Sequence, residues 1–282
     1  EQTDTLKKFY PTTDLVTGPD IIFFWVARMI IAGYEFRGDK PFENVYLTGL
    51  VRDQQRRKMS KSLGNSPEPL ELIEKYGADG VRVGMLLCSP AGNDLLYDDS
   101  LPEQGRNFAN KIWNAFRLVN GWNVDDKIEQ PDSSGRAIEW MNEVLKKSIH
   151  EIDLNFRKFR ISEALMITYK LFWDEFSGWY LEIIKPEYQK PIDRITYEST
   201  INLFDKLMRL IHPFMPFITE EIWQLLIDRN DGESLMVTRL PEAKKYNKDL
   251  VSGFESVKET ISAVRTVRKE KEIPNKEKLK LF

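Results

Sequence analysis

The chain has 282 residues, of which 41% are hydrophobic and 30% charged, with a net charge of −3. That composition excludes a chain disordered for want of a core, and it excludes a nucleic-acid binder held by bulk positive charge, so any nucleic-acid surface must be local. A single cysteine, Cys88, excludes an internal disulfide and fits a reducing, cytoplasmic compartment, and two histidines, His150 and His212, leave no zinc cluster or Ser-His-Asp triad to assemble.

The length permits one large domain or two ordinary ones. No stretch reads as a signal or transit peptide. The longest apolar run, Ile21 to Ala32, is interrupted by Arg28 and is too short to span a bilayer. The chain begins at Glu1 without a methionine, which reads as a piece of a longer protein.

Tyr10 to Thr17 (YPTTDLVT) reads as a short strand, and Gly18-Pro19 as a turn. Asp20 to Tyr34 predicts a helix, apolar on almost every face and therefore buried. Ile21 and Trp25, four apart, share a face of that helix, as core or as the lining of a pocket. A strand, a glycine turn and an aspartate-led helix start form an arrangement that offers backbone N–H groups and a carboxylate to a nucleotide.

Val45 to Val51 reads as a short buried strand. Arg52 to Ser66 has no apolar period and carries Arg52, Arg56, Arg57, Lys58 and Lys61 against Asp53. A basic loop leaving the C-terminal end of a strand is where an open α/β sheet binds its ligand. Two ammonium groups three residues apart, Lys58 and Lys61, with Ser60 and Ser62 beside them, suit a polyphosphate; the plain alternative is a solvated basic loop.

Two helical pieces follow, Pro69–Tyr76 and Ala78–Cys88, split by Gly77. Cys88, in the apolar run GMLLCS, reads as a buried structural thiol rather than a nucleophile. Ser89 to Ser100 is a loop by composition. Ser100-Leu101-Pro102-Glu103 reads as a capping box opening a helix to about Asn120, with Phe108, Ile112, Phe116 and Val119 on one stripe and Gly121 as its stop.

From there the chain is helical: about Ser134 to Phe156 after a linker at Gln130–Gly135, Arg160 to Ile184 before Pro186, Thr196 to His212 before Pro213, and Pro216 to Asp228. Their tryptophans and phenylalanines predict the core of a helix bundle. His212 reads as a structural residue at a helix end. Lys111, Arg117, Lys146, Lys147, Arg157, Lys158 and Arg160 are candidates for RNA backbone contacts, or plain surface charges. Val257 to Lys271 predicts a basic helix, and Leu279 to Phe282 could open a strand.

The run YLTGLVRDQQRRKMSKSLGN, Tyr46 to Asn65, resembles the KMSKS signature of class I aminoacyl-tRNA synthetases, including the approach Gly49, Val51, Asp53 and the trailing Gly64-Asn65. LVTGPDIIFFWVARM resembles the valyl branch of class Ia just upstream of that loop. PLELIEKYGADGVRVGML resembles the family's stem-contact region, and FRISEAL, EFSGWYLEIIKP and HPFMPFITEEIW its anticodon-binding domain. Three positions depart from the family pattern: Pro19 for a phenylalanine, Thr48 for the histidine before the glycine, and Arg56 for a glycine two residues before the first motif lysine.

The resemblance implies an α/β part followed by an all-α part. Residues 1–100 would be the C-terminal part of a Rossmann-type catalytic domain with the stem-contact region. Residues 101–252 would be a helix-bundle anticodon-binding domain, and 253–282 a basic helix opening a C-terminal extension. It implies activation of valine by ATP, taken with Mg2+, and transfer to the 3′ end of tRNA(Val), by a monomeric complete enzyme with no membrane partner and no protein-bound metal in this stretch.

By the same resemblance Lys58 and Lys61 are catalytic, Lys61 on the leaving pyrophosphate. Thr17, Gly18, Asp20, Gly49, Val51, Met59, Ser60, Lys61 and Ser62 contact ATP or the adenylate, Ile21 and Trp25 line the valine pocket, and Lys111, Arg117, Arg157, Lys158 and Arg160 meet tRNA. The second phosphate motif of the class, His-x-Gly-His, cannot be written with His150 and His212 alone, so the chain by itself is expected to be inactive. The other readings are a tRNA-binding module without catalysis, an isoleucyl- or leucyl-type synthetase, and a different nucleotidyl transferase with a similar loop. The helical half speaks against the last.

Overall fold

The computed structural model describes residues 2–89, 92–274 and 277–278. After a one-and-a-half-turn helix α1 (Asp4–Phe9), the strand β1 (Thr12–Thr17) runs parallel to β2 (Phe42–Leu47), with Thr12 opposite Phe42 and Thr17 opposite Leu47. Parallel partners require a crossover, and residues 18–41 supply it.

That crossover differs from the single buried helix expected over Asp20–Tyr34. It starts as a 3-10 turn (Pro19–Ile21), loosens to a π turn (Ile22–Val26), and becomes the α-helix α2 only at Ala27–Arg37. It is also not buried: Phe23 is 85% exposed, Ile31 68% and Phe36 81%, and only Val26 and Gly33 are fully covered. The reason is geometric. An all-round apolar helix needs cover on every side, and the two-stranded β1–β2 sheet with the Tyr10–Pro41 corner covers only the side carrying Gly33.

The strand expected over Val45–Val51 is likewise two pieces. β2 stops at Leu47, the chain shifts sideways through residues 48–50, and β3 (Val51–Arg52) pairs in parallel with β4 (Leu95–Leu96) instead. Gly49 makes the shift possible: a Cβ there would stand 1.7 Å from the carbonyl oxygen of Asn93.

Helices α3 (Pro69–Tyr76) and α4 (Ala78–Leu87) follow as the sequence indicates, broken at Gly77, whose φ is 77°. Cys88 is half-buried, and burial pushes its thiol up. The helix α5 (Ser100–Asn120) buries Phe108, Ile112, Phe116 and Val119 as read. Its start is not the expected capping box: Ser100 is already helical, no side chain caps from the preceding Asp99, and the Asp98 carboxylate takes the Ser100 N–H at 2.8 Å. Proline at the third helical position fixes the first turn regardless.

α4 and α5 cross at backbone contact. A Cβ on Gly105 would lie 2.0 Å from the Gly80 carbonyl, and one on Gly84 2.2 Å from that of Leu101. The division expected near residue 100 therefore falls between two helices packed without a gap, and Val83 of α4 belongs to the bundle core.

The bundle continues with α6 (Asp132–Arg157), α7 (Ile161–Lys170), a π stretch (Leu171–Tyr180), α8 (Leu181–Ile184), α9 (Arg194–Ile211), α10 (Pro216–Leu226) and α11 (Lys248–Glu270). The two-residue strands β5 (Val124–Asp125) and β6 (Ile192–Asp193) tie the loops at one end. One core runs through all these helices, with Trp140, Phe172, Phe176, Tyr180 and Phe204 wholly enclosed. The basic helix begins nine residues earlier than its pattern suggests, because Asn247 caps it through the N–H groups of Asp249 and Leu250. The division expected at 252/253 thus lies inside α11. The strand expected at Leu279–Phe282 lies outside the described residues.

Candidate active site

The loop Asp53–Leu63 is closed by a short ladder. Met59 N–H donates to the Val51 carbonyl at 3.2 Å, Asp53 N–H to that of Arg57 at 3.0 Å, and Arg52 bridges Lys58 across the pair. Its tip turns through Arg56 at φ 64°, the left-handed conformation that glycine adopts without cost.

A staple that the sequence reading did not assign holds the base. The Asp53 carboxylate accepts from the Asn65 amide at 3.0 Å, from Arg57 Nε at 2.8 Å and from the N–H groups of Gln55 and Arg57. These bonds, the Asn65 amide foremost, hold the carboxyl down to about 2. Asn65 Oδ1 in turn takes the Ser60 N–H at 2.9 Å. The signal in the sequence was the pairing of Asp53 with the trailing Asn65, twelve residues apart, which no helical or strand period would reveal. A second anchor is Asp94, which accepts from the Leu50 N–H at 3.0 Å and contacts Arg52 Nε, and Arg52 holds its carboxyl below the usual range.

Of the two motif lysines, Lys58 reaches back to the crossover and donates to Asp20 Oδ2 at 2.6 Å. The ammonium lowers the Asp20 carboxyl. Lys61 opens a 3-10 turn (Lys61–Leu63) that Ser60 caps, its Oγ accepting from the Leu63 N–H at 3.3 Å while lying 3.2 Å from Ser62 Oγ. Lys61 is exposed and has no ion-pair partner among the described residues. Ser62 is exposed and Met59 half-buried.

Thr17 ends β1, and its carbonyl accepts from the Thr48 N–H at 2.9 Å. Gly18 lies so close to its neighbour that a Cβ would meet Asp20 Oδ1 at 2.6 Å. Gly49 and Val51 form the ledge under the loop. The fold thus brings Thr17, Gly18 and Asp20 beside the first motif lysine, although 38 residues separate Asp20 from Lys58.

Ile21 and Trp25 are placed differently from the expectation. They do not share a regular α-helical face, since Ile21 closes the 3-10 turn and Trp25 sits in the π turn. Trp25 is 57% exposed, so neither it nor Ile21 is core here.

The RNA-contact candidates fall in three places, and within α6 Lys146 pairs with Glu143 and Lys147 with Glu151. Arg157, Lys158 and Arg160 cluster at the turn from α6 to α7, where Arg157 pairs with Asp153 at 2.9 Å and Phe159 at φ 56° sets its ring near Tyr46 of β2. Lys111 and Arg117 lie on α5, with Lys111 Nζ 5.5 Å above the Trp173 ring. His212 is the structural residue expected, buried at the end of α9 with Nδ1 2.8 Å from Thr219 Oγ1. Among the described residues no group of His, Cys, Asp and Glu is placed to hold a metal, and no helix is long and apolar enough to cross a membrane.

Residues 1–98 match the family described as tRNA synthetases class I (I, L, M and V), and residues 139–282, half of the chain, match the anticodon-binding domain of tRNA ligase. The chain is 63% identical to the valine–tRNA ligase of Parabacteroides distasonis over 278 residues, 99% of this chain and 32% of that protein. The valine–tRNA ligase of Thermotoga maritima is 40% identical over 285 residues, covering 100% of this chain and 33% of the relative. The chain therefore spans about a third of the length of the curated relatives it matches. Among solved structures, the ternary complex of Agrobacterium radiobacter LeuRS with tRNA and LeuAMS superposes with a TM-score of 0.64 at 21% identity, over 89% of this chain and 30% of that one. Mycobacterium tuberculosis methionyl-tRNA synthetase bound by methionyl-adenylate gives 0.61 at 21% identity, over 79% and 46%. At that identity the superpositions show the fold, an α/β part followed by a helix bundle.

Proposed function

The chain belongs to the class I tRNA ligases with their anticodon-binding domain, and from that premise we propose that it is the part of a valine–tRNA ligase that carries the KMSKS loop and the anticodon-binding helices. The whole enzyme would join valine to ATP, taken as its magnesium complex. The valine carboxylate attacks the α-phosphorus, the bond to the β-phosphate breaks, and pyrophosphate leaves. A hydroxyl at the 3′ end of tRNA(Val) then attacks the valyl carbonyl and releases AMP.

In this reading Lys61 stands free to offset charge building on the leaving pyrophosphate, an interaction worth most where the charge develops. Lys58 and Asp20 tie the loop to the nucleotide-facing turn, and Thr17, Gly18, Gly49, Val51, Met59, Ser60 and Ser62 form the surface against which the adenosine and phosphates lie. Trp25 and Ile21, exposed beside Asp20, border the valine pocket. Lys111, Arg117, Arg157, Lys158 and Arg160 contribute phosphate contacts to tRNA.

The observation that carries the proposal is the meeting of Lys58 with Asp20, which puts both signature segments at one place. The test uses the 282-residue chain. It should bind tRNA(Val) transcript with salt-sensitive affinity and show no valine-dependent ATP–pyrophosphate exchange, since the class needs phosphate contacts on both sides of ATP. Failure to bind tRNA(Val), or exchange with isoleucine or leucine but not valine from the longer enzyme, would overturn it.

A further inference from the structure

Away from the loop, α6, α9 and residues 241–244 line an open groove of about 420 Å³. Four cations line it, Lys146, Lys206, Arg209 and Lys244, against two carboxylates, Asp205 and Glu242. Asp205 is already committed: its Oδ1 accepts from Trp223 Nε1 at 2.7 Å and from Arg229 at 3.1 Å, and its Oδ2 lies 2.8 Å from Arg209 Nε. Lys146 is paired with Glu143 at 2.5 Å, whose other oxygen takes the Asn247 N–H.

Lys206 and Lys244 are different, since neither has an ion-pair partner among the described residues. Lys206 is half-buried, and burial holds its ammonium down; attraction from Asp205 offsets part of that, while Lys244, Arg209 and Lys146 add repulsion. Glu242 and Lys244 are exposed, and the four cations outnumber the two carboxylates, an excess in a concave, partly dry place that an added anion would offset. The chain as a whole is negative, so this surplus is local.

A second cavity of about 550 Å³ lies beside it along α9, the two sharing Asn202, Asp205 and Arg209 in their linings. The far end is lined by Tyr197, Ile201, Leu226 and Ile227, with Glu198 and Arg229 at its edge, so an aromatic ring and apolar side chains stand there beside one carboxylate and one guanidinium. Charge at one end and a stacking surface at the other suit a nucleotide of an unpaired RNA segment: phosphate on the lysines, base or sugar toward Tyr197. A free phosphate would use only the first end.

We propose that this groove is an RNA phosphodiester site, in which Lys206 and Lys244 grip one backbone phosphate of a bound tRNA. The site rests on the tRNA-binding reading above and adds Lys206 and Lys244 to the candidates named there, beside Lys146.

The test is lysine footprinting of the 282-residue chain with an amine-reactive acetylating reagent, read by mass spectrometry, without ligand, with tRNA transcript, and with inorganic phosphate. Binding of tRNA is measured separately by anisotropy at several salt concentrations. Protection of Lys206 and Lys244 by tRNA is expected, with little from inorganic phosphate at equal phosphate concentration. The double variant Lys206→Gln/Lys244→Gln should flatten the salt dependence of tRNA binding by about one to two phosphate contacts, and Lys206→Arg/Lys244→Arg should restore it. If tRNA binds but both lysines stay reactive and the slope is unchanged, the groove is not the site while the tRNA-binding reading stands. Protection by inorganic phosphate alone would make it a free-anion site and overturn the RNA assignment. Absence of any tRNA binding would remove both.

Discussion

Lys58 Nζ lies 2.6 Å from Asp20 Oδ2, so the signature loop is fastened to the first turn after β1 by a pair that spans 38 residues of sequence. Both side chains are open to water, so the pair steers the loop rather than stabilising the fold. Asp20→Asn should leave the melting temperature unmoved and speed amide exchange over Met59 to Leu63. Unchanged exchange in that segment would mean that the Asp53–Asn65 staple alone holds the loop.

Arg56 occupies a left-handed conformation, one that glycine adopts without steric cost. Arg56→Gly removes a Cβ strain of about 1 kcal/mol, partly offset by added freedom of the unfolded loop. Its backbone carbonyl still accepts from Arg52 at 3.1 Å. The amides of Asp53 and Met59, which close the loop ladder, should exchange a few-fold more slowly by native-state hydrogen exchange.

In a ligase of the relatives' full length carrying this segment, Lys61→Ala should slow valyl-adenylate formation by about 10²–10³-fold, the usual loss for one contact made to charge developing in the transition state. Rapid-quench measurement of the first turnover checks this. A wild-type rate would leave Lys61 as a solvated surface lysine.

Lys258 on α11 is 6% exposed and binds both oxygens of Glu175, at 2.7 and 2.9 Å, and Glu255 at 2.6 Å. It sits 5.4 Å from the ring of Trp140, which stacks on Phe254 at 4.0 Å. Lys258→Ala should cost about 2–3 kcal/mol in urea unfolding, toward the low end for a broken buried pair because Glu175 keeps some water. Replacing Lys258 and Glu175 together, Lys258→Met with Glu175→Leu, should recover most of that loss, since the one carboxylate then left unpaired, Glu255, is open to water.

His212 and Thr219 set a pH limit on the bundle. The Thr219 hydroxyl donates to the Met215 carbonyl at 2.7 Å, so its oxygen must accept from His212 Nδ1–H, and the buried Nε2 is left unprotonated without a partner. Burial holds the imidazole below its ordinary value of 6.5. The unfolded chain then takes up the proton first, so stability is full above pH 6.5 and falls as the pH drops below it. Asp79, which caps α10 through the N–H groups of Phe217 and Ile218, is pushed up by burial and acts in the opposite sense. The comparison that isolates His212 is therefore wild type against His212→Gln by thermal melting at successive pH values, with the variant showing the flatter profile below 6.5.

Local chemistry in the sequence by itself determined the loop motif, the breaks at Gly77, Pro186 and Pro213, and the apolar stripe of α5. Each depends on residues within a turn or two of one another, where backbone freedom and side-chain period are decided. The tertiary structure alone decided that Asp20 meets Lys58, that Asp53 and Asn65 close the loop, and that Asp79 of α4 caps α10 of the bundle. It also decided that the crossover helix loosens and lies open, against the burial its apolar composition implied. Apolar residues record a demand for cover, but what covers them is a property of which other elements stand near. Charged partners far apart in sequence carry no period, so only the folded path of the chain brings them into contact.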